Sequence, residues 1–302
     1  MKKVLILGGN GFVGRNLTAY LIQCGYSVCC FDHNEVKQPM EGAHYIQGDF
    51  YTDEGFSYLS EDYDYVVHAL SAINPGNSNE KYLFAYENDL MQLVRICNLL
   101  KDRKTRLIFI SSGGAVYGEK EEFPIKEETL LCPVNHYGTV KLCMEKVLQT
   151  FGIQNGLDYK IARIANLYGP GQNFEKGVGF IDAAVKHALH HEKIVVWGDG
   201  ETIRDYIYIE DACAMLECLM RDQGDNFVFN LSTCVGTSQN EILRVLQGLN
   251  EDVQVQYKEK RSVDVKCMIL DNRKICALYP QKLVDVESGI TKYYHFLERF
   301  RK

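Results

Sequence analysis

One short segment near the start of the chain, Gly8-Gly-Asn-Gly11-Phe-Val-Gly14, constrains the fold more than any other feature. It follows the apolar run Lys3 to Leu7 and opens a pattern with Phe12, Val13, Leu17, Tyr20 and Leu21 at helical three-and-four spacing. Glycines permit a tight turn and let backbone approach a pyrophosphate, whose charge the unpaired N–H groups of a helix N-terminus stabilise. A strand, turn and helix in this order predicts a dinucleotide site built on Gly8, Gly11, Phe12, Val13 and Gly14. Asp32 ends a second apolar run, Ser27 to Phe31, 18 residues beyond Gly14. A carboxylate there can accept hydrogen bonds from an adenosine ribose and would repel a ribose phosphate. Neighbouring His33, Asn34 and Glu35 supply no guanidinium for such a phosphate, so NAD is expected rather than NADP. Asp49 and Phe50 follow a third run, His44 to Ile46, and are expected at the adenine, with Asp49 on its amino group.

Further apolar runs at Tyr65 to His68, Arg106 to Ile110 and Tyr159 to Ile164 alternate with helical stretches. Parallel strands need long crossovers, which place helices on both faces, so a doubly wound parallel α/β sheet is predicted. Turn formers in Asn166-Leu-Tyr-Gly-Pro-Gly-Gln172 mark a transition. We expect a dinucleotide-binding domain over 1–165 and a smaller α/β substrate lobe over 166–302, with chain around 205–235 a candidate to return to the first domain. The net charge of −7 has no concentrated basic run, which argues against nucleic acid as partner. No apolar stretch reaches the roughly 20 residues of a membrane-spanning helix, so no membrane insertion is expected. The eleven cysteines are odd in number and lack a Cys-x-x-Cys pair. They read as reduced thiols, pointing to a cytoplasmic location. His187, His190 and His191 lack a convincing partner set, and no metal is expected.

Tyr137-Gly-Thr-Val-Lys141 leads into another helical pattern. Residues i and i+4 share a helical face, so the Lys141 ammonium can favour the Tyr137 phenolate, which is otherwise unavailable at neutral pH. With these residues the chain resembles the extended short-chain dehydrogenase/reductases, and within them the UDP-glucose 4-epimerase and sugar-nucleotide epimerase/dehydratase group. Matching elements include Val67-His68-Ala69, Asn88, Ile110-Ser-Ser-Gly-Gly-Ala-Val-Tyr-Gly118, Arg163-Ile-Ala-Asn166, Trp197-Gly-Asp-Gly200, Arg204-Asp-Tyr-Ile-Tyr208 and Arg261-Ser-Val-Asp264.

The resemblance implies a Rossmann domain, bound NAD contacted also by Ala69, Asn88, Tyr137 and Lys141, and a UDP-hexose substrate. Tyr137 would exchange a proton with the sugar C4 hydroxyl, while hydride leaves to NAD and returns to the opposite face of a 4-keto sugar. Arg204 and Arg261 would clamp the diphosphate, Asn166 would add a donor, and Asp264 would meet a uridine ribose. The usual catalytic Ser or Thr position is Gly113, so Ser112 is expected to complete the catalytic set, with Ser111 the alternative. Both serines are expected at the substrate. Gly114 and Ala115 replace the acidic pair of a 4,6-dehydratase. Met268 stands where family members gate the hexose pocket, and a homodimer through two helices, one around Asn88, is implied. A sugar-nucleotide reductase, dehydratase or decarboxylase remains an alternative, as does a non-catalytic NAD-binding sensor or scaffold.

Overall fold

Strand β1 (Lys3–Leu7) is buried from Val4 onward and alternates its side chains between two cores: Val4 and Ile6 on one face, Leu5 and Leu7 on the other. A strand covered on both faces gains from apolar side chains at every position, which explains the unbroken run. A computed structural model describes residues 1–172, 179–225, 227–259 and 265–300 of the chain. In it β1 is flanked by β2 (Ser27–Asp32), with β3 (Ala43–Gln47) outside, and on the other side by β4 (Tyr65–His68), β5 (Arg106–Ser112) and β6 (Tyr159–Ile164), all parallel. Shorter strands follow: β7 (Asn166–Tyr168), β8 (Ile194–Trp197), β9 (Ile203–Tyr208), β10 (Val228–Leu231), β11 (Gly236–Ser238), β12 (Val255–Lys258) and β13 (Cys267–Met268). β10 returns to pair with β6, giving a seven-stranded sheet in the order β10-β6-β5-β4-β1-β2-β3. This is a Rossmann-type α/β fold.

The strand order reverses between β1 and β4, and in open parallel sheets ligands bind at that switch point beyond the carboxyl ends of the strands. The helix Phe12–Gln23 covers one face together with Ile209–Arg221; Leu90–Leu100 and His136–Asn155 cover the other. A third core, with Tyr168, Ile181, Val185, Tyr206, Ile242, Leu246 and Tyr293, holds the later segments together. There β9 pairs with β7, β11 and β13, and β8 with β12. Arg261 and Asp264 lie outside the described residues.

Candidate active site

The turn after β1 is shaped by close approach. Gly8 has φ +88° and a Cβ on it would sit 3.0 Å from the Ala69 carbonyl oxygen. A Cβ on Gly14 would fall 2.2 Å from the Gly8 oxygen. Gly8 and Gly9 N–H both donate to Phe31 O, locking the turn onto the end of β2. The helix then starts at Phe12 with Gly11 as its N-cap and no side-chain cap, which leaves the first-turn N–H groups available to an anion. Asp32, 7% exposed, receives the Asn10 N–H at 3.0 Å on Oδ2 and the Asn34 N–H at 3.0 Å on Oδ1. Oδ1 also receives Asn34 Nδ2 at 3.5 Å, which leaves Oδ2 the freer oxygen for a ribose hydroxyl. Beyond β3, Asp49 and Phe50 border a cavity of about 500 Å³ with Tyr51, Ala72 and Gln92. This cradle fits a dinucleotide: a glycine surface closed to side chains, an open helix start, a fixed carboxylate and an adjoining pocket.

Tyr137 and Lys141 occupy the first turns of the helix His136–Asn155, where the Asn135 side chain caps Gly138 N–H at 2.9 Å. Gly138 is what lets this helix approach the catalytic loop. A Cβ there would lie 2.4 Å from Ala115 O and 2.8 Å from Pro133 Cβ. Tyr137 consequently reaches Ser112 at the end of β5. Burial pushes the Tyr137 phenol up, and the neighbouring Ser112 hydroxyl pulls it back. Lys141 is 4% exposed, donates to Ile110 O at 3.0 Å, and lies 5.9 Å from the Tyr137 ring centroid. Burial brings its ammonium down to about 8, against the opposing pull of the Asp89 and Glu145 carboxylates. His68, fully buried nearby, is held neutral by burial and by Lys141, its pKa falling to about 3.

The two serines separate. Ser111 borders the cavity, but its hydroxyl donates to Glu145 Oε1 at 2.5 Å, inside a buried network in which Arg163 grips both Glu145 oxygens. Successive strand residues face opposite sides, so Ser111 serves the core and only Ser112 meets Tyr137. Gly113 also gains a reason: a Cβ there would lie 2.4 Å from Leu270 Cδ1 and 3.2 Å from Arg163 O. A side chain at that position would have to displace Leu270, and the hydroxyl stands one residue earlier.

Ser112 and Tyr137 open onto a cavity of about 560 Å³ that Phe12, Val13, Asn166 and Arg204 also line. Asn166 Nδ2 is anchored on Asp205 O at 3.1 Å, and Arg204 on Ile203 O at 2.9 Å. One expectation is corrected, at Met268. Asn88 is half-buried in the π-turn Ala85–Asp89, with its Nδ2 on Phe84 O at 3.0 Å. Asp89 beside it is 2% exposed, receiving Ala72 N–H at 2.9 Å and the Tyr51 hydroxyl. Met268 is 1% exposed within the first core and does not line the cavity among the described residues. Asp89 and Glu145 were missed in the sequence, although Glu145 lies four residues beyond Lys141 on the same helical face. Among the described residues no cluster of His, Cys, Asp and Glu could hold a metal ion.

A family model of the NAD-dependent epimerase/dehydratase family matches residues 4–232. The chain belongs to this family. It is an NAD-dependent enzyme of the extended short-chain dehydrogenase/reductase type. It is 27% identical over 298 residues to a UDP-glucose 4-epimerase of Lactobacillus helveticus, covering 90% of this chain and 89% of that one. A dTDP-4-dehydro-6-deoxyglucose reductase of Escherichia coli is 25% identical over 311 residues, covering 96% and 95%. Among solved structures, the UDP-glucose 4-epimerase of Thermotoga maritima with UDP-glucose superposes with a TM-score of 0.93 at 28% identity, covering 99% of this chain and 100% of that one. The family thus joins epimerases with reductases on one scaffold.

Proposed function

We propose that this enzyme interconverts the C4 epimers of a UDP-hexose. The observation that carries the reading is the meeting of Ser112, Tyr137 and Lys141 at one end of a cavity whose wall also presents Arg204, Asn166 and Trp197. Bound NAD supplies a reversible hydride acceptor, and the Gly8–Gly14 turn, Asp32, Asp49, Phe50 and Lys141 are the residues that would hold it. Tyr137 takes the proton of the C4 hydroxyl, assisted by the nearby Lys141 charge, and Ser112 hydrogen-bonds the same oxygen. Returning that proton after the 4-keto sugar has turned over completes the cycle without an external redox partner. Arg204 neutralises diphosphate charge and Asn166 orients the sugar nucleotide. The loop argues against dehydration: Gly114 and the buried Ala115 offer no acid or base where loss of water would need both. Asp32 argues against NADPH and so against a reductase.

Purified protein supplied with UDP-glucose, UDP-galactose or their N-acetyl forms, and no added cofactor, should equilibrate one epimer pair. Replacing Tyr137 with Phe should reduce turnover by about 10²–10⁴-fold with NAD retained. A protein that interconverts none of these sugars overturns the proposal. We further propose a homodimer through the helices around Asn88, where Leu83, Phe84 and Met91 are 61%, 45% and 52% exposed, and a cytoplasmic location. The latter is supported by eleven free cysteines and by the absence, among the described residues, of a helix long and apolar enough to cross a membrane.

A further inference from the structure

The wall of the 560 Å³ cavity contains a polar atom that the fold leaves unmatched. Gln239 lines it together with Trp197, Thr202 and Arg204, and its Oε1 is excluded from solvent with no hydrogen-bond donor among the described residues. Gln239 is the first residue of the helix Gln239–Leu249, and its place is fixed on both sides. Before it, Ser238 caps the helix: its side chain accepts Glu241 N–H at 3.2 Å, and Glu241 Oε2 accepts Ser238 N–H at 2.7 Å. After it, Asn240 staples the turn that follows Trp197, with its N–H on Gly200 O at 3.1 Å and its Nδ2 on Asp199 O at 3.0 Å. Antiparallel pairing of Thr237 with Arg204 and Ser238 with Ile203 sets Gln239 beside Thr202. A buried acceptor without a donor is costly, and a built position makes a chance orientation a poor account of it.

We propose that Gln239 reads the base of the nucleotide substrate, its carboxamide oxygen accepting the imide N–H of a uracil-type pyrimidine. This rests on the nucleotide-sugar reading above and adds to it the residue that recognises the nucleoside. A diphosphate carries no proton to donate at neutral pH, so the partner of Oε1 is not one of the groups that Arg204 neutralises, and the aromatic ring of Trp197 in the same wall favours the base over a sugar hydroxyl. Trp197 supplies an aromatic face in the same wall on which a base stacks. The carboxamide sets an acceptor beside a donor, and the uracil edge sets its N3–H beside a carbonyl oxygen. The two therefore pair through two parallel hydrogen bonds.

The NAD-loaded protein and its Gln239→Leu variant, titrated calorimetrically with UDP and with N3-methyl-UDP, test the assignment. The unsubstituted protein should bind UDP at least about tenfold more tightly than the methylated analogue, as expected for a lost buried hydrogen bond. The leucine variant should bind UDP about tenfold more weakly and distinguish the two ligands by less than about twofold. Its ligand-free melting temperature should not fall, since no protein hydrogen bond is removed. Unchanged UDP affinity, a retained preference against the methylated analogue, or a lowered melting temperature would each overturn the role of Gln239 while leaving the nucleotide-sugar reading intact. Failure of the unsubstituted protein to bind UDP would remove that reading and the assignment together.

Discussion

Lys141 lies between two aromatic rings, 4.9 Å from the centroid of Phe109 and 5.9 Å from that of Tyr137, with a single backbone carbonyl as its hydrogen-bond partner. Its folded pKa of about 8 lies below the ordinary 10.5. Between those values the unfolded chain binds more protons than the native one, so stability rises with pH across that window. Below pH 8 the full penalty of keeping a buried ammonium charged is present, about 3 kcal/mol for a shift of this size. Replacing Lys141 with Met should therefore raise the melting temperature of the cofactor-free protein at pH 7 by a few degrees, with a gain of about 2 kcal/mol after the lost bond to Ile110 is counted. The gain should vanish as the pH approaches 10.5, while turnover falls at least about 100-fold at every pH. Wild-type turnover should decline above about pH 8 as the ammonium is lost. Thermal melts and rate profiles across pH 6 to 10.5 check both halves. A melting temperature that drops at pH 7 would show that Lys141 supports the fold rather than burdens it.

At the scale of elements, the site depends on how closely the helix His136–Asn155 can approach the loop after β5. Gly138 sets that distance: its missing side chain lets the helix rest on Ala115 and Pro133. In Gly138→Ala the added methyl group must push the two segments apart, and Tyr137 would lose its contact with Ser112. We expect kcat to fall about 100-fold, as a misplacement near 1 Å can produce, together with a destabilisation of about 1–3 kcal/mol from overpacking. NAD content should be unchanged, because the Gly8–Gly14 turn is untouched. Kinetics, denaturant melts and cofactor release measure these separately; an alanine variant with full kcat would show that the helix has slack.

Across the whole molecule, the exposed apolar side chains of Leu83, Phe84 and Met91 gather on two consecutive helical segments, Ser78–Phe84 and Leu90–Leu100, joined by the π-turn that also contains the buried Asp89. Apolar residues grouped in this way on a protein surface mark interaction sites. Light scattering should find a dimer, and Leu83→Glu with Met91→Glu should shift it to monomer at micromolar concentration. A wild-type chain that stays monomeric under the same conditions overturns the dimer.

The dinucleotide turn, its following carboxylate and the Tyr137–Lys141 pair were legible in the sequence because each is local. The glycine spacing, the end of a strand and the i, i+4 relation fix geometry over a few residues, and the apolar runs disclosed the parallel sheet by the same logic. The choice of candidate serine was not settled that way. Ser111 and Ser112 are adjacent and chemically identical. Only the strand's alternation, with Glu145 and Arg163 behind one face and Tyr137 before the other, told them apart. The burial of Asp89 was not legible, because it sits in a π-turn that breaks the 3.6-residue period. The reason for Gly113 lay in Leu270, more than 150 residues away in the chain. Sequence alone determined the cofactor-binding frame and the chemistry available to it. Tertiary structure decided which hydroxyl meets Tyr137, which carboxylate is buried and which amide lines the cavity, since those choices are made by packing between segments remote along the chain.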